Sequence, residues 1–297
     1  MAIVEIGGLI KKFGNFTALN GVDLCVNQGE IYGFIGPNGA GKTTTLRIML
    51  GILKATSGSV KIFGKDAWKD AVEIHKKTAY VPGEVNLWPN LTGGEVIDFF
   101  TRLRGSPNEK RKNELIERFQ LDPSKKCRTY SKGNRQKVAL IAAFASDAEL
   151  YVLDEPTSGL DPLMENMFRR CVSRAKEEGK SVLLSSHILS EVEKLCDKVS
   201  IIRKGKIMES GPLEELRHLT STRMTIETKR PVENPESVKG IHDIEIKGNT
   251  LSFLVDTEDL DGVLKQIVPY GIAKLESAPP TLEDLFMRHY KEDGDPS

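Results

Sequence analysis

The first two thirds of the chain alternate compact apolar runs with stretches of helical periodicity. Continuous apolar runs of four or five residues are typical of strands that are buried on both faces of a sheet; they lie at residues 31–35, 150–153, 181–184 and 198–202. Helical patterns stand between them, as at residues 43–50, which end before Gly51, and at the helix that begins with Pro162 after the N-cap residue Asp161. This alternation predicts an α/β fold with a mainly parallel sheet.

Two further regions depart from that alternation. Residues 3–10 and 18–26 read as short strands around a turn at Gly14 and Asn15, and residues 59–63 predict another strand. From about residue 87 to 145 the pattern becomes helical. Thr92 and Glu95 form a capping box there, just ahead of an apolar helix face.

After about residue 217 the chain becomes polar and rich in turn residues. Strands are predicted at residues 224–227 and 251–255, and a closing helix at 282–290. We therefore expect a main domain over residues 1–217 and a small α/β accessory domain over residues 218–297.

Composition narrows the class of protein. Of 297 residues, 39% are hydrophobic and 28% charged, which is ordinary for a globular protein. Lys and Arg together number 42, as do Asp and Glu, so the charge balance does not favour a nucleic-acid partner. No apolar run approaches the roughly 20 residues of a membrane span, and no leader peptide is evident at the start. The four cysteines lack CxxC spacing, which indicates free thiols in a reducing compartment.

A glycine-rich phosphate loop follows the first buried strand. Residues 36–43 read GPNGAGKT and are followed by a predicted helix. Glycines at these positions let several backbone N–H groups face one centre, where the helix N-terminus adds partial positive charge. In this pattern the lysine reaches the β- and γ-phosphates and the threonine hydroxyl ligates Mg²⁺. The predicted nucleotide-binding residues are Gly36, Pro37, Asn38, Gly39, Ala40, Gly41, Lys42, Thr43 and Thr44.

Two carboxylates end the buried strand at residues 150–153. Asp154 is placed to hold Mg²⁺ through water, across from Thr43, and Glu155 to orient or deprotonate an attacking water. Solvated acids end many strands, so the pair alone is a weak signal. The phosphate loop alone could belong to a kinase, a GTPase or a helicase. Together the two motifs predict a nucleotide hydrolase that uses Mg²⁺.

The segment LDEPTSGLDP at residues 153–162 resembles the second nucleotide motif and the D-loop of ABC ATPases, and the resemblance extends over about residues 3–216. It implies a P-loop NTPase core with a parallel sheet, an antiparallel β subdomain and a helical subdomain at about residues 87–145. Phe13 stands where the family stacks an aromatic ring on adenine, although a strand-core role is the alternative. His187 stands where the family's switch histidine contacts the γ-phosphate.

Two motifs depart from the family pattern. The signature, usually LSGGQ, reads YSKGN at residues 130–134; Ser131 and Gly133 match, and the resemblance implies that they complete the ATP site of an opposite subunit. Lys132 replaces a glycine, and its charge could assist a γ-phosphate or its bulk could hinder close approach. Gly83 replaces the glutamine that usually follows YVP, and the neighbouring Glu84 is a candidate Mg²⁺ contact and a rival to Glu155.

The resemblance also implies partners. A single cassette without a membrane span implies a separate integral membrane permease and a second ATP-binding subunit, either another copy or a close relative. The expected location is the cytoplasmic face of the cell membrane. Residues 279–290, PPTLEDLFMRHY, resemble the tails of ABC-2 type export ATPases, although an amphipathic domain-core helix would look similar. The alternative function is a soluble regulatory or ribosome-associated ATPase without a permease.

Overall fold

The computed structural model describes residues 1–105, 108–218, 222–256 and 258–278. The chain divides into two compact units, Met1–Gly211 and Pro212–Ser297. The domain boundary expected after residue 217 stays a prediction. Within the described ranges, no helix is both long and apolar enough to cross a bilayer.

An antiparallel sheet forms the N-terminal part of the first unit. Its strands are β1 (Ala2–Phe13), β2 (Phe16–Asn27), β4 (Ser57–Ile62) and β5 (Lys65–Asp66), in the order β2-β1-β4-β5. Alternate residues of β1 and β2 are buried, which is the period-2 pattern of a sheet with one face on the core. The buried residues pack against the second sheet of this unit through one shared apolar core.

The second sheet carries the parallel strands that the apolar runs predict. It consists of β3 (Ile31–Ile35), β6 (Thr78–Val81), β7 (Leu150–Asp154), β8 (Ser181–Ser186), β9 (Lys198–Arg203) and β10 (Lys206–Pro212), in the order β10-β9-β3-β8-β7-β6. β3 pairs in parallel with β8 and β9, and β7 with β6 and β8. Every residue of β3, β7 and β8 is buried. Because parallel strands end at one sheet edge, the loops after β3, β7 and β8 converge there.

Helices surround this sheet and form a separate cluster between β6 and β7. Those around the sheet are α1 (Lys42–Met49), α2 (Ala71–Lys77), α6 (Pro162–Glu177) and α7 (Leu189–Leu195); the cluster consists of α3 (Gly93–Leu103), α4 (Glu109–Arg118), a short 3₁₀ turn (Cys127–Thr129) and α5 (Lys132–Phe144). The predicted capping box is confirmed: Thr92 Oγ1 accepts from Glu95 N at 3.1 Å, and Glu95 Oε2 accepts from Thr92 N at 2.6 Å.

The second unit has its own sheet and core. It begins with α8 (Leu213–His218) and continues with β11 (Thr222–Thr228), β12 (Ile241–Lys247), β13 (Thr250–Val255), α9 (Leu260–Ile267) and β14 (Ile272–Ala278). The strands are antiparallel in the order β12-β13-β11-β14. Apolar residues of the sheet and of α9 form its core, including Ile226, Phe253 and Val263. The helix expected at residues 282–290 lies outside the described residues.

The α/β fold class, with a parallel core sheet, an antiparallel β part, a helical part and a small α/β unit after them, is thus confirmed. The cysteines are all free thiols. Cys127, Cys171 and Cys196 are buried, whereas Cys25 is exposed on β2. Burial raises the pKa of Cys171 to about 12.

Candidate active site

The phosphate loop, residues 36–43, connects β3 to α1 and is held in its curve by close backbone contacts. A Cβ on Gly36 would lie 2.2 Å from the Ile202 carbonyl oxygen, so only glycine fits there. Gly41 adopts φ 114°, a conformation that glycine accepts readily. The Lys42 side chain is buried and donates to the carbonyl oxygens of Gly36 at 2.6 Å and of Pro37 at 3.3 Å. The loop thus folds around the lysine ammonium.

The end of β7 meets the start of α1 through Asp154. Thr43 Oγ1 donates to Asp154 Oδ2 at 2.9 Å, and Ser185 Oγ on the neighbouring strand donates to Asp154 Oδ1. A hydroxyl and a carboxylate in contact are the oxygen donors that Mg²⁺ prefers, usually with waters retained on the ion. These two side chains therefore fit a Mg²⁺ site.

Glu155 lies at the first position beyond β7 in an unusual backbone conformation. Its φ is 47°, a left-handed value that non-glycine residues seldom adopt and that is concentrated at functional sites. The carboxylate Oε1 lies 3.1 Å from Lys42 Nζ, and Oε2 lies 2.6 Å from His187 Nδ1. Oε1 is buried and accepts no hydrogen bond of good geometry from the described residues, so its contact with Lys42 is an ion pair only.

A cavity of about 430 Å³ opens in front of these groups. Its walls come from the phosphate loop, α1, the loop after β6 and the residues after β7 and β8: Asn38, Thr43, Arg47, Tyr80, Pro82, Gly83, Glu84, Asn86, Asp154, Glu155, Ser158 and His187. Burial, followed by the nearby Asp154 charge, raises the pKa of Tyr80 to about 12, so the phenol stays protonated. A Cβ on Gly83 would lie 3.5 Å from the Asp154 carboxylate, so a longer side chain at position 83 would reach the group that is proposed to hold Mg²⁺.

Known proteins are similar in sequence to this chain over nearly its whole length. An ABC transporter family model matches residues 19–158, and a model of the ATP-binding protein DrrA1-3-like C-terminal domain matches residues 211–290. The ABC transporter ATP-binding protein YhaQ of Bacillus subtilis, which is uncharacterized, is 33% identical over 96% of this chain and 97% of its own. The bacitracin transport ATP-binding protein BcrA of Bacillus licheniformis is 33% identical over 96% of both chains. The chain belongs to the ABC transporter family.

Solved structures support the same conclusion. The structure of an ATP-binding subunit of an ABC transporter superposes with a TM-score of 0.68 at 30% identity, covering 73% of this chain and 92% of the other. The dimeric, post-hydrolysis structure of the ATP-binding cassette MJ0796 with ADP and Pi gives a TM-score of 0.64 at 26% identity, covering 71% and 98%. This chain is an ATP-binding subunit of an ABC transporter, and it is an ATPase.

The signature segment of this ABC subunit lies on a different part of the fold. Ser131 is the N-cap of α5, and its Oγ accepts from Asn134 N at 3.3 Å. A Cβ on Gly133 would lie 2.4 Å from the Gly159 carbonyl oxygen, so the start of α5 packs directly on the turn after β7. Neither residue lines the cavity around Glu155.

Phe13 is likewise outside that cavity. It ends β1, pairs with Phe16 across the hairpin, and is 48% exposed, so the structure does not place it in the strand core. The Lys11 ammonium lies 4.8 Å from the centre of its ring. An exposed ring remains available for stacking.

The structure brings together several residues that the motifs did not single out. Arg47, Tyr80, Asn86 and Ser158 line the cavity, and Ser185 anchors Asp154. The pair of serines that ends the apolar run of β8 was the available signal for Ser185, since a polar residue at the end of a buried strand faces the same edge as the phosphate loop.

Proposed function

We propose that this subunit binds MgATP through the phosphate loop and hydrolyses it with Glu155 as the general base, powering export through a separate membrane permease. Lys42 and the loop amides bind the β- and γ-phosphates, and Thr43 and Asp154 hold Mg²⁺. When bound, the ion neutralises charge on the phosphate oxygens. Phosphoryl transfer needs mainly positioning and charge stabilisation, which a preformed pocket of this kind supplies.

The observation that carries the proposal is the row of three side chains from Lys42 through Glu155 to His187. Oε2 of Glu155 is oriented by the imidazole, whereas Oε1 is left without a hydrogen-bond donor of good geometry among the described residues. Oε1 is therefore the acceptor for a proton of the attacking water. The water oxygen bonds to the γ-phosphorus as the bond to the bridging oxygen of ADP breaks, and the water's proton passes to Glu155.

Lys42 must change partners in this cycle. Its ammonium contacts two loop carbonyls and Glu155, all of which it exchanges for phosphate oxygens when ATP binds. Release of Glu155 from this ion pair leaves Oε1 available to contact the attacking water. His187 remains the partner that fixes its orientation and, as the switch histidine of the family, approaches the γ-phosphate.

Glu84 is the rival carboxylate. It lines the same cavity but is exposed, whereas Glu155 is held between a buried ammonium and an imidazole. A fixed carboxylate aligns a water better than a mobile one, since orientation contributes much of a general base's effect. We therefore assign Glu84 at most a contact with Mg²⁺ or its waters, in the place left by Gly83.

The proposed partners follow from the family and from two surfaces. We propose that Ser131 and Gly133, which do not line the cavity of their own subunit, complete the ATP site of a second ATP-binding subunit. Trp88, 50% exposed, packs its ring against Phe99 and Phe100 with centroids 5.4 Å and 6.0 Å away. We propose that this exposed aromatic surface contacts a permease. Export is supported by the bacitracin transport protein among the relatives and by the DrrA1-3-like C-terminal match.

Hydrolysis by purified protein tests the proposal. Wild type should hydrolyse MgATP, and Lys42→Ala should bind ATP more weakly or lose hydrolysis, because the phosphates lose their cation. Lys110→Met, a substitution of an exposed lysine on α4, is the control and should match wild type. Wild-type turnover in Lys42→Ala would refute the assignment of the loop. Recovery of the protein from membranes only when a permease is coexpressed would separate the transport role from that of a soluble regulatory ATPase.

A further inference from the structure

Lys132, the residue that replaces a signature glycine, is exposed, but its side chain is held against its own chain. Its Nζ donates to Ser158 Oγ at 2.7 Å. The aliphatic part of its side chain covers Gly159, where a Cβ would lie 3.4 Å from Lys132 Cγ and Cδ. The lysine therefore spans from the first turn of α5 to the turn at residues 155–160.

The 155–160 turn is a tight segment with Glu155 at its first position. Ser158 N donates to the Glu155 carbonyl at 3.1 Å, and Leu160 N donates to the Thr157 carbonyl at 3.0 Å. Ser158 also lines the cavity in front of Glu155. A shift of Ser158 is thus transmitted through one hydrogen bond to the strained backbone of Glu155.

Two neighbouring contacts bring α5 close enough for the lysine to act. Gly133 packs on the Gly159 carbonyl, and Gln136 Nε2, buried, donates to the Pro156 carbonyl at 2.8 Å. Those contacts fix the distance between helix and turn. The Lys132 ammonium then holds the side of the turn that faces the cavity, which neither of the other two contacts reaches.

We propose that Lys132 is a positioning residue for ATP hydrolysis, holding Ser158, and through it the turn that carries Glu155, in place from within the same subunit. The inference rests on the proposed function of Glu155. The sequence left two other roles open for Lys132, assisting a γ-phosphate or hindering close approach. The proposed role differs from both, because the ammonium acts on a turn of its own subunit.

The test is a double-mutant cycle in steady-state ATPase kinetics on the full chain, with Lys132→Met, Ser158→Ala, the double variant and Lys132→Arg. Lys132→Met keeps the aliphatic stem and removes the ammonium. We expect kcat to fall about 3- to 10-fold in each single variant. This loss is in the lower part of the range measured for interacting side chains, because the hydrogen bond is exposed to solvent. The KM for ATP should stay within about twofold, since a positioning residue acts on the chemical step.

The double variant should be no slower than the slower single one, because each removes the same contact. Lys132→Arg, which retains a long cationic donor, should keep at least about half of kcat, and the control Lys110→Met should match wild type. A raised KM with unchanged kcat in Lys132→Met would overturn the proposal in favour of nucleotide contact, and so would multiplicative losses in the double variant. Absence of hydrolysis by wild type would instead overturn the proposed function itself.

Discussion

Replacing Glu155 by Gln removes one charge and leaves the size of the side chain nearly unchanged. The amide loses the ion pair with Lys42 at 3.1 Å and cannot take a proton from water, although its oxygen still accepts from His187 if the amide orients that way. Thr43 and Asp154 are not touched, so MgATP binding should persist. The Glu155→Gln variant should therefore bind ATP and hydrolyse it slowly.

The expected magnitude has two parts. Loss of a general base slows turnover by about 10²–10⁴-fold, or about 3–5 kcal/mol in the barrier. The Lys42–Glu155 attraction at 3.1 Å is about 5 kcal/mol at an effective dielectric constant of 20, before the desolvation of both charges offsets most of it. Since ATP must displace Glu155 from Lys42, the variant's Kd for ATP should equal that of wild type or be lower by up to about tenfold.

Single-turnover hydrolysis with Glu84→Gln in parallel is the deciding assay. Glu84→Gln shares the cavity and the charge change and should retain more than about a tenth of the wild-type rate, because an exposed side chain contributes less to orientation. Light scattering with ATP should show Glu155→Gln as a lasting dimer, because we propose that the paired subunits separate only after hydrolysis. A full rate in Glu155→Gln with a collapsed rate in Glu84→Gln would refute the choice of base. A monomer at high concentration would refute a homodimer.

Two further substitutions test the surfaces around the site. Gly133→Ala would place a Cβ 2.4 Å from the Gly159 carbonyl oxygen. It should lower the free energy of unfolding, measured in urea, by about 1–3 kcal/mol and reduce the kcat of ATP hydrolysis. Unchanged values would contradict the close packing. Trp88→Ala should leave the basal ATPase of the isolated subunit within about twofold of wild type but abolish ATP-driven transport in the complex, whereas an equal loss of basal ATPase would indicate misfolding.

Sequence reasoning succeeded where the signal is contiguous. The β3 strand is a five-residue apolar run because both of its faces are covered, and the observed strand has the predicted bounds, Ile31–Ile35. The capping box needs only Thr92 and Glu95, which lie within four consecutive positions, so it forms without distant contacts. The phosphate loop could be predicted for the same reason, because its glycines are required by the local curvature of the backbone.

Two of the elements that were not predicted show how such a signal can be absent. Helix α2 (Ala71–Lys77) buries only Ile74, so its apolar periodicity is too weak to recognise. β6 (Thr78–Val81) has four residues and lies at the edge of the sheet, where it pairs with β7. Both elements are stabilised by their contacts with the sheet, and local helix or strand propensity does not predict such contacts.

The catalytic geometry could be predicted only in part for the same reason. The order of motifs brings Thr43, Asp154 and His187 to one sheet edge, but the partners of Glu155 depend on tertiary contacts between segments far apart in the chain. Lys132 illustrates the limit most clearly. From its position in the signature its charge was expected to act on nucleotide or to hinder approach, and its contact with Ser158, 26 positions away, could be seen only in the folded chain.

The left-handed backbone of Glu155 connects these observations. A non-glycine residue at φ 47° is held there against roughly 1–3 kcal/mol of strain, so surrounding contacts must stabilise the turn. They come from three directions: the Glu155 N–H donates to the Ser185 carbonyl on β8 at 3.1 Å, Ser158 N donates to the Glu155 carbonyl, and α5 packs on the turn through Gly133 and Lys132. Because α5 begins with the signature that is proposed to meet the second subunit, a displacement of this helix on assembly would act directly on the turn that positions the catalytic carboxylate.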